Sequence, residues 1–86
     1  MKKKFAVIGV ILENPQEVQK EFNEIVSSFS DIIMGRMGIP YDKHQVAVIS
    51  ITVLGSLDEI NNFTGKIGKL SGASVKAAIG KKDIEE

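Results

Sequence analysis

The side chains of this chain that could do chemistry are few and crowd into one stretch. Gly35-Arg36-Met37-Gly38-Ile39-Pro40-Tyr41 runs straight into Asp42 and His44, so a guanidinium, a phenol, a carboxylate and the single imidazole follow closely on one another. A planar guanidinium suits the paired oxygens of a carboxylate or phosphate, and glycines on either side let a ligand or a second backbone approach. Gly35, Arg36, Met37, Gly38 and Tyr41 are therefore candidates for binding an effector or for joining chains. The same glycines would equally shape a bulged edge strand, so both readings stay open. His44 and Asp42 offer two ligands where a zinc centre uses three or four. His44 is thus only a weak metal candidate, one that symmetry between copies would have to complete. The chain has no cysteine, which removes disulfides, thiolate ligands and cysteine nucleophiles. No catalytic residue, resident metal or cofactor is assigned.

One segment imitates a phosphate loop and fails the test. Thr64-Gly65-Lys66-Ile67-Gly68-Lys69 has the composition, but the motif needs a glycine-rich turn between strand and helix and then Lys-Ser/Thr, whereas Ile67 follows Lys66. The segment falls inside a helical pattern, where Gly65 and Gly68 are expected to permit close helix packing. Lysine plus arginine and aspartate plus glutamate each number 11. No net field draws the chain to nucleic acid or a membrane surface, and no direct nucleic-acid partner is expected. No apolar run approaches the roughly 20 residues that span a bilayer.

The elements that must position these residues come as a repeat. Phe5-Ala6-Val7-Ile8-Gly9-Val10-Ile11-Leu12 returns 41 positions on as Val46-Ala47-Val48-Ile49-Ser50-Ile51-Thr52-Val53, and at the same offset Phe22 meets Phe63. The Met1-Lys2-Lys3-Lys4 start before an apolar run imitates a signal peptide, but the mid-chain copy of that run marks both as strands. Asn14 is expected to cap a helix with Pro15 at its first position, and Val18, Phe22, Ile25, Val26 and Phe29 give it an apolar stripe. A second strand follows from Asp31 to Pro40, a turn from Tyr41 to His44, and a third strand from Gln45 to Leu54. Ser56 and Glu59 form a capping box that opens a second helix, whose stripe is Leu57, Ile60, Phe63, Ile67 and Leu70. Ala73 to Ile79 makes the fourth strand, and the charged tail 81–86 is expected to fray.

Strand, helix, strand, strand, helix, strand is the ferredoxin-like βαββαβ sandwich of the α+β class, a single domain over 1–86 with two helices on one face of a four-stranded antiparallel sheet. The first and third strands take its centre. One strand face, Ala6, Ile8, Val10 and Leu12 with Ala47, Ile49, Ile51 and Val53, suits the helices. The opposite face should alternate to polar if it met water, yet it reads Phe5, Val7, Gly9 and Ile11 with Val46, Val48, Ser50, Thr52 and Leu54. Exposing such side chains forfeits about 1.5–3 kcal/mol each. A homo-oligomer, dimer or tetramer, joined through this outer sheet face or the strand edges is therefore expected. Asn14 and Ser56, at the two strand-to-helix loops, are secondary candidates for holding an anion at a helix N-terminus, unless they merely cap it.

Gly35-Arg36-Met37-Gly38-Ile39-Pro40-Tyr41, with Asp58-Glu59-Ile60, Thr64-Gly65-Lys66-Ile67-Gly68-Lys69-Leu70 and Val75-Lys76, resembles the small family of iron-only hydrogenase system regulators. The resemblance spans nearly the whole chain. It implies a ferredoxin-like fold similar to ACT domains and to the C-terminal domain of the nickel-responsive regulator, which bind small effectors and assemble through their sheets. That regulator's nickel site, built from several histidines and a cysteine, does not carry over to a chain with one histidine and no cysteine. Its DNA-binding ribbon–helix–helix segment has no counterpart here, so regulation is expected to act through a separate protein or a bound effector.

The combined expectation is a non-enzymatic, cytoplasmic, oligomeric regulatory or effector-binding module. Its partners would be copies of itself and a small anionic effector or another protein. Any ligand is expected between chains near residues 36–41, because the helix-facing set has no polar group to orient one. Two other classes stay open: a small enzyme whose site forms only between subunits, led by Arg36, Tyr41 and His44, and a structural partner subunit in hydrogenase maturation.

Overall fold

The computed structural model describes residues 2–85. The elements are β1 (Lys2–Glu13), α1 (Pro15–Ser28), β2 (Ile33–Tyr41), a 3-10 turn (Asp42–His44), β3 (Val46–Gly55), α2 (Leu57–Gly68), β4 (Ala73–Ile79) and β5 (Ile84–Glu85). The sheet order is β2-β3-β1-β4, every pairing is antiparallel, and β5 extends the start of β1. This is the α+β ferredoxin-like arrangement, with the two repeated strands paired at its centre: Ile8 lies opposite Ile51 and Val10 opposite Ile49.

Strand alternation sends one face of β1 and β3 under the helices. Ala6, Ile8, Val10, Leu12, Ile49, Ile51 and Val53 are buried there against Val18 and Phe22 of α1 and Ile60, Phe63 and Ile67 of α2. Phe29, at the end of α1, brings its ring to 5.0 Å from that of Phe63, tilted by 41°, which ties the two helices together over the sheet.

The two helices start differently. At α2 the capping box forms as expected: Glu59 N–H donates to Ser56 Oγ at 3.1 Å and Ser56 N–H to Glu59 Oε1 at 2.8 Å. Ser56→Ala should cost about 1 kcal/mol of unfolding free energy, read from urea denaturation midpoints at unchanged slope. Asn14 holds the N-cap place of α1, but its side chain makes no cap hydrogen bond and its backbone is left-handed at φ 52°. The reason is tertiary. Asn14 N–H donates to the Gln45 carbonyl at 2.8 Å, and Gln16 Nε2 donates to Gln45 Oε1 at 3.1 Å, so the strand-to-helix corner is turned toward the β2–β3 turn. Asparagine tolerates that conformation better than other residues with a Cβ.

Four further expectations are corrected. Leu57, at the first position of α2, is 47% exposed rather than part of the buried stripe, which starts one turn later at Ile60. The second strand begins at Ile33 rather than Asp31, because the preceding turn drives Ile32 into the core. Gly65 and Gly68 do not mark close helix packing, since a Cβ at either would meet nothing within 4 Å. The tail does not fray as far as Glu85: Lys2 and Lys3 pair with Glu85 and Ile84, and Lys4 Nζ lies 2.9 Å from Asp83 Oδ1. Glu86 lies outside the described residues. The Lys4 hydrogen bond and charge, joined by Lys2, hold the Asp83 carboxyl below its ordinary pKa of 3.8. A depressed carboxyl pKa stabilises the fold above its unfolded value, and that contribution is lost as pH falls through the folded one. The protection of the Ile84 amide, measured relative to its intrinsic exchange rate at each pH, should therefore fall selectively on acidification below about pH 4, and less sharply in high salt, where an exposed pair is screened.

Candidate functional site

The stretch singled out from sequence does not form one surface. β2 carries a register shift between Ile33, opposite Val53, and Gly35, opposite Thr52, so Met34 is an extra residue in the strand. A bulge of this kind reverses the facing of everything beyond it. Past it, Arg36, Gly38 and Pro40 lie opposite Ile51, Ile49 and Ala47 on the helix-bearing side, while Gly35, Met37, Ile39 and Tyr41 lie opposite Thr52, Ser50, Val48 and Val46 on the outer side.

On the helix side the arginine borders a cleft. α1 stands over β3 and leaves a space of about 300 Å³ between itself and β2, bounded by Phe22, Asn23 and Gln19 of the helix and by Arg36, Gly38 and Ala47 of the sheet. Arg36 is the single charged side chain among the residues lining it. Its guanidinium carbon sits 5.9 Å from the Phe22 ring centroid, a cation–π arrangement. The tie between Asn14 and Gln45 sets the start of α1, and with it Pro15, at one end of this space. Sequence reading named Arg36 but missed the cleft, because the uncharged polar members come from α1, whose Gln19 and Asn23 carried no motif.

On the outer side the sheet is an apolar mosaic. Ile39, Val48 and Ile11 form a row across β2, β3 and β1, and Val7, Phe5 and Met37 flank it, all exposed. At the middle of β1, Gly9 floors a shallow depression walled by Ile11, Val48 and Lys76. Tyr41 stacks on His44 at 5.3 Å and 17°. Arg36 is thus separated by the sheet from Tyr41 and His44, and the trio named for an intersubunit enzyme does not converge in one chain. Among the described residues no group of three or more His, Asp or Glu side chains could hold a metal ion. The two helix N-termini are partly engaged: Ser56 is used by its own capping box, and the first turns hold Glu17 in α1 and Asp58 and Glu59 in α2, which oppose an anion. No helix among the described residues is long and apolar enough to cross a membrane.

Comparisons with known proteins agree with this architecture. The structure superposes on that of the uncharacterized protein TM1266 from Thermotoga maritima with a TM-score of 0.87 and 29% identity, covering 92% of this chain and 99% of that one. It also matches the solution structure of the C-terminal domain of the MgtC protein from Mycobacterium tuberculosis, with a TM-score of 0.62, 16% identity and coverage of 96% and 94%, a likeness of fold alone. The comparison with curated proteins gave no match. A family model described as "TM1266-like: Iron-only hydrogenase system regulator, putative" matches residues 4–77. That match runs from β1 through most of β4 and takes in both helices and the bulged strand, so the chain belongs to the TM1266-like family of iron-only hydrogenase system regulators.

Proposed function

We propose that this protein is a non-enzymatic regulator of the iron-only hydrogenase system that works in the cytoplasm as a homo-oligomer and responds to a small bound effector. The regulatory role follows from the family; association is supported by the outer sheet face, and effector binding by the cleft that Arg36 borders. Phe5, Val7, Ile11 and Val48 are each between 42% and 54% exposed at the centre of the sheet, with Met37, Ile39 and Tyr41 beside them on the edge strand. A contiguous apolar patch of this kind marks an interaction surface rather than scattered surface residues.

The occupant is a second copy of this chain. A flat sheet face with aliphatic side chains on three adjacent strands and a chain net charge of zero is compatible with its own image, and an isologous pair satisfies both copies at once. Light scattering at micromolar concentration should give at least a dimer. A monomer that stays clear of aggregation with this face exposed would remove the association part of the reading.

A further inference from the structure

The two halves of the fold serve as each other's control. Arg36 lies opposite Ile51; in the other half the strand position of Ile51 is taken by Val10, whose neighbour on β4 is Val75. The second half therefore sets a half-buried valine, packed on the core, where the first sets an exposed arginine. By the same register Gly38, opposite Ile49, corresponds to Ala77, opposite Ile8. α2 also lies against β4, whereas α1 stands off β2. A groove of about 400 Å³ lined by Gly68, Val75 and Ala77 takes the corresponding place between α2 and β4, so what sets the first half apart is its arginine and the missing side chain at Gly38.

Neither residue is demanded by the fold. Gly38 has no positive φ, and a Cβ there would meet only Ile49 Cγ1, at an ordinary 3.9 Å. A strand position that has room for a side chain but carries none gives up strand stability; what it keeps here is an open floor under α1. The Arg36 side chain forms no ion pair or hydrogen bond with another described residue, and it lies against the Phe22 ring. Its planar fork of donors is held at the mouth of an otherwise uncharged cleft, whose walls are the Phe22 face, Ile49 and Ala47, with the amides of Gln19 and Asn23 above.

We propose that this cleft binds a small amphipathic carboxylate, its aryl or branched-alkyl group lying between Phe22 and the floor at Gly38 and its carboxylate forked by Arg36. The proposal rests on the effector-binding part of the regulatory reading and moves the ligand from between chains to within one chain. A volume of about 300 Å³ equals roughly ten water volumes of ~30 Å³, room for a ligand of about ten non-hydrogen atoms. A nucleotide would extend well beyond this space, and inorganic phosphate would leave the apolar walls wet.

The test is a titration of isotope-labelled protein with phenylacetate, followed by amide and methyl NMR shifts. Saturable shifts at Phe22, Gly38 and Ala47 are expected, with a dissociation constant of about a millimolar for so small a ligand. Phenylacetamide, which keeps the shape without the charge, and acetate, which keeps the charge without the ring, should each bind at least about tenfold more weakly. Arg36→Gln should cause a similar loss for phenylacetate. Gly38→Val should abolish binding while leaving the melting temperature unchanged or higher, so the loss cannot be read as unfolding. Shifts on the outer face instead, no saturable binding, equal affinity for phenylacetamide, or undiminished binding by Gly38→Val would each overturn the assignment. Repeating the titration in Val48→Lys, where the outer face is disrupted, separates the two readings: cleft binding should persist whether or not the chain associates.

Discussion

Val48→Lys is expected to hold the protein as a monomer at micromolar concentration while leaving its fold intact. Val48 stands at the middle of the apolar row formed with Ile39 and Ile11, and its side chain is already 42% exposed within one chain. In the monomer the ammonium group stays in water, and a substitution at so open a site costs little. Between two sheets the same group would lose its hydration with no carboxylate facing it from the row, a penalty of several kcal/mol. A loss of about 3 kcal/mol weakens association by more than a hundredfold. Light scattering should then report one chain, with an unchanged far-ultraviolet circular dichroism spectrum. The adjacent substitution Ile49→Lys provides the contrast: Ile49 points to the helices and is buried, so an ammonium there should unfold the chain rather than dissociate it. Persistence of the oligomer in Val48→Lys would place the contact at the strand edges instead.

Phe63→Ala is expected to bring the domain close to unfolding at ordinary temperature. Phe63 is fully buried in the α2 stripe and carries the ring contact with Phe29 that joins the helices. Removing such a side chain costs about 3–5 kcal/mol, against a total of roughly 5–15 kcal/mol for a whole domain. At ~4–8 °C per kcal/mol for a chain of this size, the melting temperature should fall by roughly 12–40 °C. Phe22 occupies the matching place in the first half and should cost less on truncation, because its ring borders the cleft and the space left behind opens to solvent rather than forming a sealed void. Thermal melts of the two variants side by side test this, and an equal loss would mean that the cleft is closed in solution.

Much of this architecture could be read directly from residue order. The repeat of Ala6-Val7-Ile8 at Ala47-Val48-Ile49 identified the two central strands, and the stripe Ile60, Phe63, Ile67 placed α2, because burial periodicity is a local property of a strand or helix. The Ser56–Glu59 box was legible for the same reason, since all its atoms lie within one turn. Asn14 was not. Its side chain had the chemistry of a cap, but its backbone follows a hydrogen bond to Gln45, a partner remote in sequence.

The tail shows the same division. Its charges were visible, but their value depended on Asp83 reaching Lys4 across the strand pairing of β1 with β5. An ion pair between residues so far apart in sequence has no local signature.

Sequence alone determined the α+β order of elements, the two helix stripes apart from Leu57, the apolar character of the second sheet face and the supply of one arginine among glycines. The tertiary structure decided where that arginine points. One extra residue, Met34, reverses the facing of β2 beyond it and turns Arg36 from the outer face, where Met37 and Ile39 lie, to the side of Phe22. The physical reason is the period of two in a strand: the glycines pointed to a bulged edge strand, as is found, but a single bulge exchanges the faces, and which residue becomes the extra one is set by the pairing with β3.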